Sequence, residues 1–194
     1  MIRGATVADV PAMAQIINDA AEFGLMLPKS LAALYENVRE FHVAVEGGRG
    51  EGTGNSKERV VGVCGLSIVW ANLAEVASLA VRKDQRGKGL GKQLVQTVLD
   101  EAKQLGIPRV MTLTYERAFF EKLGFAVLDR QELPLKVWSE CVRCPKNQAC
   151  DEIAMVRRIE GVPEPEGAPA PPRPTRYEVP VVLTTRGKNG DAGK

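Results

Sequence analysis

Val81-Arg82-Lys83-Asp84-Gln85-Arg86-Gly87-Lys88-Gly89-Leu90-Gly91 is the stretch from which the fold can be read. It stands between the apolar run Ala74 to Val81 and a segment from Leu90 to Leu105. In that segment Leu90, Leu94, Val95, Val98, Ala102 and Leu105 keep helical spacing, and Gly106 ends the helix. A buried strand, a glycine-rich turn and a helix start therefore follow one another. The three alternating glycines let the backbone approach a ligand closely, and the free amides of a helix start turn their positive end outward. From Arg82 to Lys92 five basic residues stand against one acidic residue, so the turn expects a multiply phosphorylated cofactor. The competing glycine motifs do not fit. The spacing of Gly87, Gly89 and Gly91 is not that of a dinucleotide fingerprint, and G-x-x-x-x-G-K-[S/T] is absent. The bland alternative is a tight turn with a solvated basic face.

Toward the N-terminus, Ile2 to Thr6 reads as a short strand. Thr6-x-x-Asp9 then forms a capping box before a helix with Val10, Met13, Ile16, Ile17 and Ala20 on one side. Gly24 interrupts that helix, Ser30 caps a second one, and Phe41 to Glu46 is a strand. Gly47 to Arg59 carries almost no apolar side chain and is expected to be a flexible hairpin loop. Val60 to Trp70 and Ala74 to Val81 are adjacent buried strands. Toward the C-terminus, Arg109 to Tyr115 is a strand, Ala118 to Leu123 a short helix closed by Gly124, and Phe125 to Asp129 and Ile153 to Arg158 further strands. The pattern predicts an α/β (α+β) fold, a mixed central sheet with flanking helices, over residues 1–160. Residues 161–194 hold most of the prolines and are expected to be a disordered tail, with Tyr177 to Leu183 as a candidate edge strand.

The chain of 194 residues is long enough for one domain with a sizeable core, and its formal charge of +2 gives no reason to expect a nucleic-acid or membrane partner. No apolar stretch approaches the roughly 18 residues that span a bilayer, and Met1 to Val10 has no signal-peptide pattern, so a cytoplasmic protein is expected. Its four cysteines are then reduced thiols or metal ligands. Cys141-x-x-Cys144 followed by Cys150 suggests Zn²⁺ or a redox-sensitive flap, with Asp151, Cys64 or His42 as a fourth ligand. A complete ligand spacing is absent, so the preferred reading is a folded loop without metal. His42, on a strand, reads as a packing residue, and Cys64 lies too deep in an apolar strand to be a nucleophile.

The turn resembles the signature Arg/Gln-x-x-Gly-x-Gly/Ala of the GNAT acetyltransferase superfamily, matched by Arg86, Gly89 and Gly91. Thr114-Tyr115 and Ala118 to Phe125 look like that superfamily's later strand and helix. Several further segments resemble the acetyltransferase domain of bacterial N-acetylglutamate synthase: Ile2-Arg3 with Ala5-Thr6-x-x-Asp9, Gly24 to Ser30, Ala74 to Val81, Leu113-Thr114, and Leu123-Gly124-Phe125 with Asp129 and Leu133-Pro134-x-Lys136. The amino-acid-kinase domain that often precedes this unit is not in the sequence.

The resemblance implies acetyl-CoA as cosubstrate and direct attack by an amine in a ternary complex. Free glutamate is the first choice of amine. Another small amine, a protein amine, or a non-catalytic acetyl-CoA-binding module are the alternatives. It further implies that Arg86, Gly87, Lys88, Gly89, Leu90, Gly91 and Lys92 hold the pyrophosphate. Pantetheine then lies between the strands ending near Val81 and Tyr115, against Leu79, Ala80, Val81, Phe119 and Phe120. A backbone N–H of Leu79 to Val81 polarises the thioester carbonyl.

An amino-acid amine is mostly ammonium at neutral pH, so a base is required, and Glu75 is the candidate; its bland alternative is a solvated strand-end glutamate. Family members often place a tyrosine at the position of Phe120 to protonate the departing thiolate. This chain has no hydroxyl there, and Tyr115 is the substitute, unless the thiolate needs none. For a dicarboxylate acceptor the candidate contacts are Lys29, Ser30, Ser78, Thr114, Lys136 and Arg143, with Lys146 as a further cation. Lys29 stands where the resembled family has arginine. The partners expected are thus small molecules, with a homodimer left open.

Overall fold

The computed structural model of the protein describes residues 1–47, 58–134 and 150–172. In chain order these residues form β1 (Ile2–Gly4), α1 (Val10–Glu22), α2 (Leu31–Glu36), β2 (Phe41–Glu46), β3 (Arg59–Trp70), β4 (Leu73–Val81), α3 (Leu90–Gln104), β5 (Arg109–Thr114), α4 (Arg117–Glu121), β6 (Ala126–Val127) and β7 (Ile153–Arg158). Among the described residues the strands make one mixed sheet in the order β1-β2-β3-β4-β5-β7-β6. Every neighbouring pair is antiparallel except β4 and β5, which run parallel. The mixed sheet and flanking helices expected from the sequence are present. The apolar spacing of α1 and α2 packs Val10, Met13, Ile17 and Leu34 with Val43, Val45 and Val63. That of α3 packs Leu94, Val95, Val98 and Ala102 with Val61, Leu66, Val76 and Val110.

Local signals explain several element ends. Thr6 N and Thr6 Oγ1 both donate to Asp9 Oδ2 at 2.8 Å, so the capping box forms. A further contact was not read from the sequence: Arg3 grips the same carboxylate with Nη1 at 2.8 Å and Nη2 at 3.0 Å, tying β1 to the start of α1. Ser30 Oγ accepts from Ala33 N at 3.2 Å and caps α2 as expected. The strand expected over Phe125 to Asp129 shortens to β6: Ala126 and Val127 pair in register with β7, and one further bond, from Leu128 N to Ala154 O at 2.9 Å, ends the ladder.

Two further expectations are corrected by packing. The chain does not leave the domain at residue 160, since Val162 is buried in the α3-side core. Beyond it, Glu164 lies 3.3 Å from Arg109 Nε and accepts from Asn72 Nδ2 at 3.1 Å, and Trp70 Nε1 donates to Pro169 O at 2.6 Å. The half-buried indole and the arginine at the start of β5 thus draw residues 162–169 across the β3–β4 turn. His42 is more than packing: its Nδ1 stands 3.5 Å from Glu101 Oε2 on α3. The candidate strand at 177–183 and most of the expected loop at 47–59 lie outside the described residues.

Candidate functional site

The site grows out of two irregularities in β4. Its pairing with β5 holds only at Ala74↔Val110 and Glu75↔Met111, after which the parallel strands part. At the vertex Thr112 Oγ1 donates to Val76 O at 3.3 Å, a side chain standing in where the ladder stops. On the other edge Gly65 pairs with Ala77 and Val63 with Ala80, so β4 spends one extra residue between those pairs. Ser78 sits in that bulge at φ +51, the only non-glycine at positive φ among the described residues. Such strain persists where the surroundings over-determine it, and it clusters at functional sites.

The parting strands open a cleft of about 330 Å³ lined by Leu79, Ala80, Val81, Arg86, Gly91, Thr112, Thr114, Tyr115, Phe119 and Phe120 among others. Phe120 is buried and meets Phe119 and Phe125 edge-on, with centroids 5.1 and 5.2 Å apart. A Cβ at Gly91 would stand 3.6 Å from the Phe119 ring, in ordinary contact, so the start of α3 lies directly against α4. Thr114 Oγ1 accepts from Glu116 N at 2.9 Å, which turns the chain at the end of β5.

At the cleft's mouth the turn adopts the shape its glycines predict. Gly87 and Gly89 both sit at φ +79, and Gly89 is the N-cap of α3. Gln93 N bonds Gly89 O at 3.1 Å, and the amides of Leu90, Gly91 and Lys92 precede that first bond, pointing out of the helix start. The turn is moored on both sides. Gln85 Nε2 donates to Glu46 Oε2 at 2.8 Å and Arg59 reaches Asp84 Oδ2 at 3.1 Å, while Lys83 Nζ lies 3.8 Å above the Phe23 ring at the end of α1. Arg86 Nε donates to Val81 O at 3.1 Å and Lys88 Nζ to Gln85 Oε1 at 2.8 Å. Lys88 and Lys92 are exposed. These are solvent-facing contacts that fix geometry more than they add stability.

Through the bulge the cleft meets a second cavity, of about 410 Å³, lined by Lys29, Asn37, Glu40, Ser67, Glu75, Ala77 and Ser78 among others. Glu75 and Lys29 therefore line one chamber. Ser30 does not line either cavity; its hydroxyl is engaged at the cap of α2. Met26, Val76, Ser78, Leu113 and Glu152 line both spaces. Glu152, from the residue that precedes β7, was not read from the sequence as a site residue, and neither was Thr112. No local pattern marks either of them; both take their places through the pairing of β5 with β7. Lys136, Arg143, Lys146, Cys141 and Cys144 lie outside the described residues. Cys150 is buried, with Arg130 Nη2 3.1 Å from its Sγ. Burial pushes the Cys64 thiol far up from its ordinary range, and the Glu101 carboxylate adds to it, so Cys64 is no nucleophile. No helix among the described residues is long and apolar enough to cross a membrane.

Comparison with known proteins agrees with this geometry. The model of the acetyltransferase (GNAT) family matches residues 13–125. An uncharacterized N-acetyltransferase of Chlorobaculum tepidum is 35% identical over 158 residues, covering 81% of this chain and 96% of that protein. An amino-acid acetyltransferase of Mycobacterium tuberculosis is 33% identical over 143 residues, 74% of this chain and 78% of its own length. Among solved structures, N-acetylglutamate synthase from Neisseria gonorrhoeae, complexed with coenzyme A and N-acetyl-glutamate, superposes with a TM-score of 0.67 at 25% identity. That match covers 82% of this chain and 35% of the synthase.

Proposed function

Since the chain belongs to the acetyltransferase (GNAT) family, we propose that it transfers the acetyl group of acetyl-CoA to the α-amine of L-glutamate by direct attack in a ternary complex. The observation that carries this reading is the junction of two cavities at the Ser78 bulge, with the glycine turn at the outer end of one and Glu75 in the other. In this reading the amides of Leu90 to Lys92 receive the pyrophosphate, and the bulge takes the Ser78 and Leu79 amides out of ladder register toward the thioester carbonyl. Glu75 draws the proton from the acceptor ammonium, directly or through water, and Lys29 meets an acceptor carboxylate. The amino-acid acetyltransferase relative and the solved N-acetylglutamate synthase support the choice of acceptor.

A second acceptor class is favoured by one feature. Among the described residues the acceptor cavity carries Lys29 against Glu40, Glu75 and Glu152, a balance that suits an amino acid with one carboxylate and a neutral or cationic side chain. Thiol release from acetyl-CoA over a panel of L-glutamate, L-glutamine, other amino acids, polyamines and peptide amines separates the two. Glutamate as acceptor predicts that removing either of its carboxylates abolishes turnover, and a chain that releases thiol with no amine is not this enzyme.

A further inference from the structure

Direct transfer leaves one proton to be moved. When the amine nitrogen bonds to the acetyl carbon it becomes positively charged and acidic, and when the C–S bond breaks the sulfur leaves as a thiolate. The aromatic that α4 buries beside the cleft, Phe120, carries no hydroxyl to meet that sulfur. Of the five residues that border both cavities, Met26, Val76, Ser78, Leu113 and Glu152, only Glu152 has a carboxyl group that can take up and give back a proton. Glu75, by contrast, lines the acceptor cavity alone. The geometry points to Glu152 as a catalytic residue that carries the proton from nitrogen to sulfur, a role that rests on the acetyl-transfer reading above.

Its placement is built in. Ile153 pairs with Thr114, which sets Glu152 beside the end of β5 at the lining of the cleft. Arg130, from the turn after Asp129, donates through Nη2 to the Glu152 carbonyl and reaches Cys150 Sγ at 3.1 Å, clamping the residues that lead into β7. Cys150 Sγ in turn lies 3.9 Å from Glu152 Oε2.

The step balances without any further reagent. The free amine's lone pair forms the C–N bond while the carbonyl π pair moves to oxygen. The Glu152 carboxylate takes a proton from the positively charged nitrogen. The oxygen pair then re-forms C=O, the C–S electrons leave on sulfur, and the Glu152 carboxyl hands its proton to the thiolate, returning to its ionised state. Carboxylic acids are as a class stronger acids than thiols, so delivery of a carboxyl proton to a thiolate is downhill.

The test is steady-state thiol release with acetyl-CoA and the L-amino acid turned over fastest in the panel, comparing the unmodified chain with Glu152→Gln and Glu152→Asp. The expected result for Glu152→Gln is a fall in kcat of about a hundredfold or more, with KM for both substrates within threefold, and partial recovery of kcat in Glu152→Asp. Calorimetric binding of CoA should be unchanged within twofold in both variants. Unaltered kcat in Glu152→Gln overturns the proposal, as does a loss confined to the acceptor KM, which would mark a binding carboxylate. A hundredfold loss in Tyr115→Phe with none in Glu152→Gln overturns it too, and so does loss of CoA binding in both Glu152 variants. The two levels of failure separate: no turnover by the unmodified chain sinks acetyl transfer and this role together, whereas turnover that survives Glu152→Gln sinks this role alone.

Discussion

Asn18 holds Lys29 with both ends of its amide: Oδ1 accepts from Lys29 N at 3.0 Å and Nδ2 donates to Lys29 O at 3.2 Å. This clasp fixes the irregular chain between α1 and α2 at the wall of the acceptor cavity, and so fixes where the lysine side chain starts. Asn18→Ala removes both bonds and is expected to cost about 2 kcal/mol. Because the change lies on the acceptor side, KM for the amine should rise several-fold while CoA affinity holds. Denaturant titration and calorimetry read the two effects separately.

Arg3 and Asp9 set the acid limit of stability. The Arg3 guanidinium, aided by the Thr6 amide and hydroxyl, draws the Asp9 carboxyl down from 3.8 to about 2. A folded-state value below the unfolded one means the ion pair stabilises the fold fully above about pH 4. That contribution, on the order of 2 kcal/mol, fades as pH falls from about 4 through about 2. In Asp9→Asn, urea titrations over that window should show a flatter loss of stability than in the unmodified chain.

Ser78 pays for its bulge with a left-handed backbone. Ser78→Val places a β-branched side chain at positive φ and is expected to destabilise the fold by about 2 kcal/mol and to lower kcat. Ser78→Gly should leave stability within about 1 kcal/mol, since relief of strain offsets the added freedom of the unfolded chain. Equal stabilities for the two variants would contradict the strained bulge.

Gly89 and Gly106 form a matched pair, at φ +79 and +72; among the described residues a Cβ at Gly89 would meet only Gln93 Nε2 at 4.0 Å, and one at Gly106 nothing within 4 Å. Alanine at either position carries the same backbone strain, about 1 kcal/mol. Only Gly89→Ala disturbs the turn that faces the cleft, so it alone is expected to weaken CoA binding, by about tenfold or more. Calorimetric titration with CoA checks both variants under one set of conditions.

The legible parts of this molecule were those written in local pattern. Gly87 and Gly89 announced a tight turn, the apolar spacing from Leu90 to Leu105 announced α3 almost to the residue, and Ser30 announced its cap. What escaped reading depends on pairing between distant strands. Serine gives no signal of positive φ, so the Ser78 bulge appears only once β3 and β4 are in register. Thr112 and Glu152 reach the junction because β5 leaves β4 and takes up β7, a choice no neighbouring residue records. The strap of residues 162–169 looked like tail because prolines dominate it, yet Glu164 stands in an ion pair with Arg109 and bonds Asn72, and the Pro169 carbonyl accepts from Trp70.

The most direct test of two cavities meeting at one reacting carbon is the initial-rate pattern of thiol release, with acetyl-CoA and the acceptor amino acid varied against each other. Attack within a ternary complex predicts double-reciprocal lines that intersect, with no thiol released when the amine is omitted. Parallel lines, or thiol release that ignores the amine, would contradict it.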